Sequence, residues 1–198
     1  MSSDPAVSIF AAGEMSSIAT TTIQTPRGLI TLRATTADDA SRLRALRLEA
    51  LADSPTSFGS AVEEIDAHDW TKLVAGDAND AVFVAEHAGQ LVGMSGLHRS
   101  ARQKDRHQAL VWGVYVRTAW RRLGVAQVLV NTCCGCAASR GIAIVKLSAV
   151  VESGALACYL RCGFRVTGVD PAALKWEGKY YDELLMSRWI KPDAAGSV

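Results

Sequence analysis

The stretch Val114-Tyr115-Val116-Arg117-Thr118-Ala119-Trp120-Arg121-Arg122-Leu123-Gly124-Val125-Ala126 decides how this chain is read. An apolar strand ends, a short basic turn follows, and a helix opens. The first N–H groups of a helix have no partner within it, and the aligned peptide dipoles add partial positive charge at that end. A basic turn leading into such an end is a site for a phosphate or pyrophosphate. Gly124 allows close backbone approach, and the small Ala126 keeps the helix mouth open. Arg121 and Arg122 supply charge nearby. Neither G-x-G-x-x-G nor G-x-x-x-x-G-K-[ST] occurs in this loop, so the two common nucleotide fingerprints do not apply. On the loop alone, an ordinary helix start with two solvated arginines is an equal reading.

Working outward, the pattern predicts a strand over Leu110 to Val116, a helix over about Val125 to Arg140 and a strand over Ile144 to Val151. A short helix follows over Ser153 to Cys162, then two strands around a turn at Gly178. On the N-terminal side, Leu29 to Arg33 reads as a first strand. Thr36 offers an N-cap with Asp38 and Asp39 in the first turn, and Leu43, Leu46, Ala50 and Leu51 repeat at helical spacing. Ser54-Pro55 ends that helix, and a second runs from about Ala61 to Val74. Ala81 to Glu86 and Leu91 to Leu97 form a hairpin around His87-Ala88-Gly89-Gln90. Hairpins mixed with crossovers predict an α/β fold: a mixed sheet with helices on both faces. Residues 1–26 read as a weakly ordered tail, though a short edge strand fits there too; 27–191 read as one domain and 192–198 as a C-terminal tail.

Composition bounds the function. The 198 residues carry 21 Lys plus Arg against 20 Asp plus Glu, a net charge of +1, which disfavours a nucleic-acid binder using the basic loop from Arg99 to Arg106. No apolar run approaches the roughly 18 residues of a membrane span. The odd set of 5 cysteines makes a poor disulfide framework, and no basic residue precedes Arg27 as in a secretory signal; a reducing cytoplasm is expected. Cys133-x-x-Cys136 lies in a predicted helix without a second ligand pair, so no metal is expected.

Arg121-x-x-Gly124-x-Ala126 after a long apolar strand, followed by Ala155, Tyr159, Gly163 and Phe164 in the arrangement A-x-x-x-Y-x-x-x-G-F, resembles the GNAT N-acetyltransferase superfamily over about Leu29 to Ile190. The resemblance implies a mostly antiparallel twisted sheet and acetyl-CoA as cosubstrate. Backbone of Val114, Tyr115 and Val116 would pair with the pantetheine amides. The N–H groups of Arg122, Leu123, Gly124, Val125 and Ala126 would hold the pyrophosphate, with Arg121 beside them. Tyr159 would sit near the thioester sulfur as general acid. Thr118 stands where a proline is common, Glu152 where many members have Asn, and Leu110-Val111-Trp112 lacks the strand glutamate that some members use as base.

Acetyl transfer to an amine needs a neutral nucleophile. A lysine-like amine with pKa near 10.4 is about 3.4 units from neutrality, or roughly 4.6 kcal/mol at pH 7, whereas a thiol leaving group near 8.5 is about 1.5 units away. Deprotonating the acceptor is therefore the larger demand, and it shrinks for an α-amino group with pKa of about 8. Base candidates are Glu86, placed first because it ends a central strand, then Glu63, Glu64, Asp182, Glu183 and His98; each also reads as a solvated or structural residue. Asp38, Asp39, Glu49, Asp53, Glu63, Glu64, Asp66 and Asp69 cluster before residue 70, which suggests an acidic acceptor side opposite a basic coenzyme side. The sequence thus points to direct acetylation of a primary amine on a small molecule or peptide, with an edge strand able to pair across a homodimer. A coenzyme A-binding sensor without catalysis is the alternative.

Overall fold

The Thr-rich segment before Arg27 forms the first strand, β1 (Thr21–Thr25), which turns tightly into β2 (Gly28–Ala34). The ladder therefore begins ahead of the Arg27 boundary read from the sequence. Alternating exposure explains why the signal was faint: an edge strand facing water has no need of an apolar stripe. In this computed structural model residues 20–67 and 69–190 are described. The rest of the expected N-terminal tail and the tail expected over 192–198 lie outside them.

Thr36 and Asp39 form a reciprocal capping box around one 3-10 turn, and α1 (Ala40–Asp53) continues from it. The helix expected from Ala61 to Val74 is two pieces, a 3-10 stretch (Val62–Ala67) and α2 (Trp70–Ala75). Asp69 causes the break, since its carboxylate accepts from the Lys72 amide at 3.0 Å and caps a new helix. β3 (Asp80–His87) and β4 (Gln90–Arg99) make the expected hairpin. Ala88 and Gly89 both take positive φ, as a two-residue hairpin turn of matching twist requires. Then follow β5 (Gln108–Val116), α3 (Val125–Ser139), β6 (Ile144–Val150), α4 (Leu156–Arg161), β7 (Arg165–Trp176) and β8 (Lys179–Trp189).

The 8 strands form one sheet in the order β1-β2-β3-β4-β5-β6-β8-β7. Every neighbouring pair is antiparallel except β5 and β6. The fold is thus the mixed, mostly antiparallel sheet with helices on both faces. α1 packs on one face against Val82, Val84, Leu91, Met94 and Tyr115. α3 and α4 cover the other face against Phe83, Val92, Val116, Val145 and Leu147. Among the described residues no helix is long and apolar enough to cross a membrane.

Candidate active site

The parallel pair β5 and β6 is joined only where Gln108, Ala109 and Leu110 face Ile144, Val145 and Lys146. Beyond Leu110 the strands part. β6 continues along β8 while β5 continues along β4, and a wedge opens between them. The outer edge of β5 from Val111 to Val116 is left without a strand neighbour, so its backbone groups can receive an extended ligand as an added strand. A kink sits midway along this edge. Met94 faces Tyr115 and Gly96 faces Trp112, so Ser95 alone opposes both Gly113 and Val114. This β-bulge, with Gly113 at φ +63°, turns Trp112 and Tyr115 to the α1 face while Val114 and Val116 lie against the α3 side.

The basic turn stands at the mouth of the wedge. The backbone N–H groups from Arg122 to Gln127 donate to no acceptor among the described residues, and α3 starts without a side-chain cap. Gly124 takes φ +84° in open space. The arrangement can bind an anion through several adjacent amides at the positive end of a 15-residue helix. Arg121 does not point at this opening as a free cation. Its Nε donates to the Val116 carbonyl at 2.9 Å and its Nη2 pairs with Asp53. Arg117 likewise pairs with Glu49 at 2.9 Å. Arg122, exposed at φ +62°, makes no ion pair among the described residues.

Glu49 and Asp53 are thus positioning residues that the sequence reading assigned to an acceptor side. Their four-residue spacing on one helix face, opposite a basic turn, was the available signal. Asp39 is also consumed. It is fully buried, accepts from Arg33 at 2.6 Å and from the Thr36 amide at 2.8 Å, and pairs with Arg42. Burial alone would raise its pKa, but the hydrogen bonds from Arg33 and Thr36 outweigh this and hold it well below the usual carboxylate range. The acidic cluster of the first helices is in large part a set of clamps.

Tyr159 lies on α4, 6% exposed, within the core cluster that contains Val116, Leu147 and Ala149. Its hydroxyl has no hydrogen-bond partner among the described residues. Burial pushes its pKa well above the usual tyrosine value, so at neutral pH it holds its proton. The spacing after it has its own structural cause. The Phe164 amide donates to the Tyr159 carbonyl at 3.1 Å, the Gly163 amide to Leu160 at 3.0 Å, and Gly163 takes φ +82°. This is a Schellman helix stop, and the Phe164 and Tyr159 rings lie 6.3 Å apart across it.

Glu86 is not brought beside Tyr159. It receives Arg33 Nε at 3.0 Å and lies 3.7 Å from Arg42, two strands away from β5 and on the α1 side. His98 is bound to Asp80 at 2.7 Å, Asp182 accepts from the Ala172 amide at 2.8 Å, and Glu64 accepts from the Ala61 amide at 3.2 Å. Glu63 and Glu152 are exposed, and Glu183 faces Val150 across the β6–β8 ladder. Cys133 and Cys136 are buried in α3, and among the described residues no group of three or more His, Cys, Asp or Glu is placed to hold a metal.

A residue that the sequence reading passed over lies closer to the β5 kink. Arg47 of α1 is 8% exposed, with its guanidinium carbon 4.4 Å from the Phe58 ring centroid. A Cβ at Gly113 would stand 3.7 Å from its Nη1. Its position between Leu46 and Ala50 on the apolar stripe of α1 was the sequence signal.

Solved structures share this fold. A GNAT family member from Streptococcus pneumoniae superposes with TM-score 0.68 at 22% identity, covering 81% of this chain and 99% of that one. A putative acetyltransferase from Salmonella typhimurium, solved with its cofactor acetyl-CoA, gives 0.69 at 17% identity over 85% of this chain and 98% of that one. A phosphinothricin acetyltransferase from Sinorhizobium meliloti in complex with acetyl-CoA gives 0.68 at 17% identity, covering 81% and 88%. In sequence, the chain is 31% identical over 105 residues to N-acetyltransferase 8 of Rattus norvegicus, covering 52% of this chain and spanning about half of that relative, 47% of its length. The pattern of the acetyltransferase (GNAT) family matches residues 44–164. That match takes in β3 to β6 with α3 and the Tyr159 helix, well over half of the sequence, and the chain therefore belongs to the acetyltransferase (GNAT) family.

Proposed function

We propose that this chain transfers an acetyl group from acetyl-CoA to a primary amine by direct attack on the thioester. The observation that carries the reading is the wedge after Leu110 with the unpaired amides of Arg122 to Gln127 at its mouth. The pyrophosphate binds those amides. The pantetheine runs back along the free edge of β5, pairing with backbone at Val114 and Val116, so that the thioester arrives at the Gly113 kink. Arg121, Tyr115 and Leu123 shape the turn rather than meet the phosphates with side-chain charge, while Arg122 is free to add its own.

At the kink the amine lone pair forms the new N–C bond as the C–S bond breaks. The departing sulfur takes a proton from Tyr159, and the tyrosinate, a stronger base than usual because burial raises its pKa, recovers a proton from solvent. The amine sheds its proton to solvent. Glu86, tied to Arg33 and Arg42, serves the fold in this scheme, and no side chain is assigned as base. No metal and no covalent enzyme intermediate takes part. The 5 free cysteines suit a reducing cytoplasm.

Calorimetry with coenzyme A, followed by thiol release from acetyl-CoA over an amine panel, tests the reading. Saturable binding that Gly124→Glu weakens, together with amine-dependent thiol release, supports it; absence of coenzyme binding by the wild-type chain overturns it.

A further inference from the structure

Among the described residues two charged side chains are buried as a whole, Asp39 and Arg47, and Arg47 lacks the ion pairs that Asp39 has. Its Nη1 has no solvent contact and no hydrogen-bond partner, and among the described residues it has no ion pair. Leaving a charge in this state is expensive, because desolvation is not repaid by an opposite charge. The Phe58 ring offers a partial, sequence-tolerant compensation through its π face. Burial lowers the pKa of Arg47 to about 10, with no neighbouring acid to restore it, yet the group remains a cation at neutral pH.

Beside it lies a small void of about 10 Å³ between α1, α2 and the sheet. Arg47 borders it with Trp70, Leu73, Met94 and Trp112, and it reaches Gly113 at the β5 kink. The 3-10 turn Pro55–Ser57 leaves α1 and touches β6 and β7, so the segment carrying Phe58 crosses the wedge on this same face. A carboxylate reaching Arg47 would have to take the place of the Phe58 ring over the guanidinium, beside Trp70 and Trp112.

We infer that the acceptor is a small amino carboxylate, an α-amino acid or close analogue, whose carboxylate pairs with Arg47 while its amine faces the Gly113 kink. The inference rests on the acetyltransferase reading and narrows its substrate class. A planar guanidinium fork matches a carboxylate in geometry as well as charge. An uncompensated cation repels a polyamine, and a peptide N-terminus has no carboxylate at the required place.

The test uses the full chain and acetyl-CoA, with each common α-amino acid paired with its carboxamide. The expected result is that the best acid is used at least about 30-fold more efficiently in kcat/KM than its amide, roughly 2 kcal/mol, the range of a charge-assisted hydrogen bond. Arg47→Met should bring that ratio to within about threefold, Arg47→Lys should restore part of it, and the KM for acetyl-CoA should stay within about twofold in both. The wild-type ratio needs no variant, so a variant that misfolds leaves the test intact. Amides used as well as acids, or coenzyme bound without turnover of any pair, overturns the inference while leaving the coenzyme reading standing. Failure to bind coenzyme A at all overturns that reading instead.

Discussion

Helix α1 meets two kinds of positive charge in opposite ways. Toward the turn before α3 it presents Glu49 and Asp53, which hold Arg117 and Arg121 in partly exposed ion pairs. Toward the β5 kink, two residues before Glu49, it presents Arg47 itself, buried and unpaired. The first arrangement is complete without a ligand: the cations fix the turn so that its backbone amides are ready for an anion. The second is incomplete, and its deficit sits where an acceptor would be chosen. On the proposed reading, coenzyme recognition falls to backbone on a braced loop and acceptor recognition to side chains around Arg47, which is where members of one family have room to differ.

The most damaging way to break this comparison acts on both regions at once. Gly96 lies directly under the Trp112 indole, and a Cβ there would occupy the ring's space. Gly96→Ala should cost about 3 kcal/mol of stability through overpacking and displace the kink at which the proposed reading brings both ligands together. Denaturant unfolding reads the loss, and an unchanged midpoint would mean that Trp112 can leave its seat freely.

Tyr159→Phe separates chemistry from binding. It keeps the ring against Phe164 and the Schellman stop but removes the only proton that the scheme gives to the sulfur. An approximately 100-fold fall in kcat, the lower end for general acid catalysis, should come with coenzyme affinity within about twofold. Equal turnover with chemistry rate-limiting would reduce Tyr159 to a core residue.

How much of this was legible follows the same division. The turn, the strand before it and the helix after it were readable because local rules fix them: an apolar run, a glycine at positive φ and a helix start. Gly163 and Phe164 entered through the family resemblance, and their spacing has its physical cause in a helix stop with an apolar contact. β1 was nearly silent because an edge strand of threonines carries no apolar stripe, and the break before α2 hinged on Asp69 alone. The roles of Glu49, Asp53 and Arg47 were not legible, since each depends on partners contributed by β5, the turn after it, or the segment before α2. Sequence placed the acids as a patch; only tertiary pairing reveals them as clamps.

Asp39 sharpens the paired side. Its folded pKa lies below its unfolded one, near 3.9, so its stabilisation is complete above that value and fades as pH falls through the folded one. Because Arg33 and Arg42 keep part of their solvent, Asp39→Asn should cost about 2 kcal/mol at pH 7 and progressively less as the medium is acidified below pH 4 or so. A constant deficit at every pH would assign the cost to packing.

Gly124→Glu tests the amides themselves. It adds a Cβ at φ +84° and a carboxylate where a diphosphate would lie. An approximately 20-fold loss of coenzyme A affinity, with little change in the amino acid over amide ratio, would confirm that the two regions work independently.

The smallest effect probes the brace. Asp53→Asn keeps the size of the side chain and removes the charge that holds Arg121, while the Arg121 bond to the Val116 carbonyl remains. Because the pair is partly exposed, the expected stability cost is about 0.5 kcal/mol. Its functional cost should be larger than that figure suggests, about threefold in the KM for acetyl-CoA with kcat unchanged, since a loosened turn must be ordered again by the ligand. If KM stays fixed while stability falls, Arg121 is a surface contact and the amides are ordered by α3 alone. If KM instead improves, Arg121 released from Asp53 reaches the phosphates directly, and the turn uses its side chains as well as its backbone.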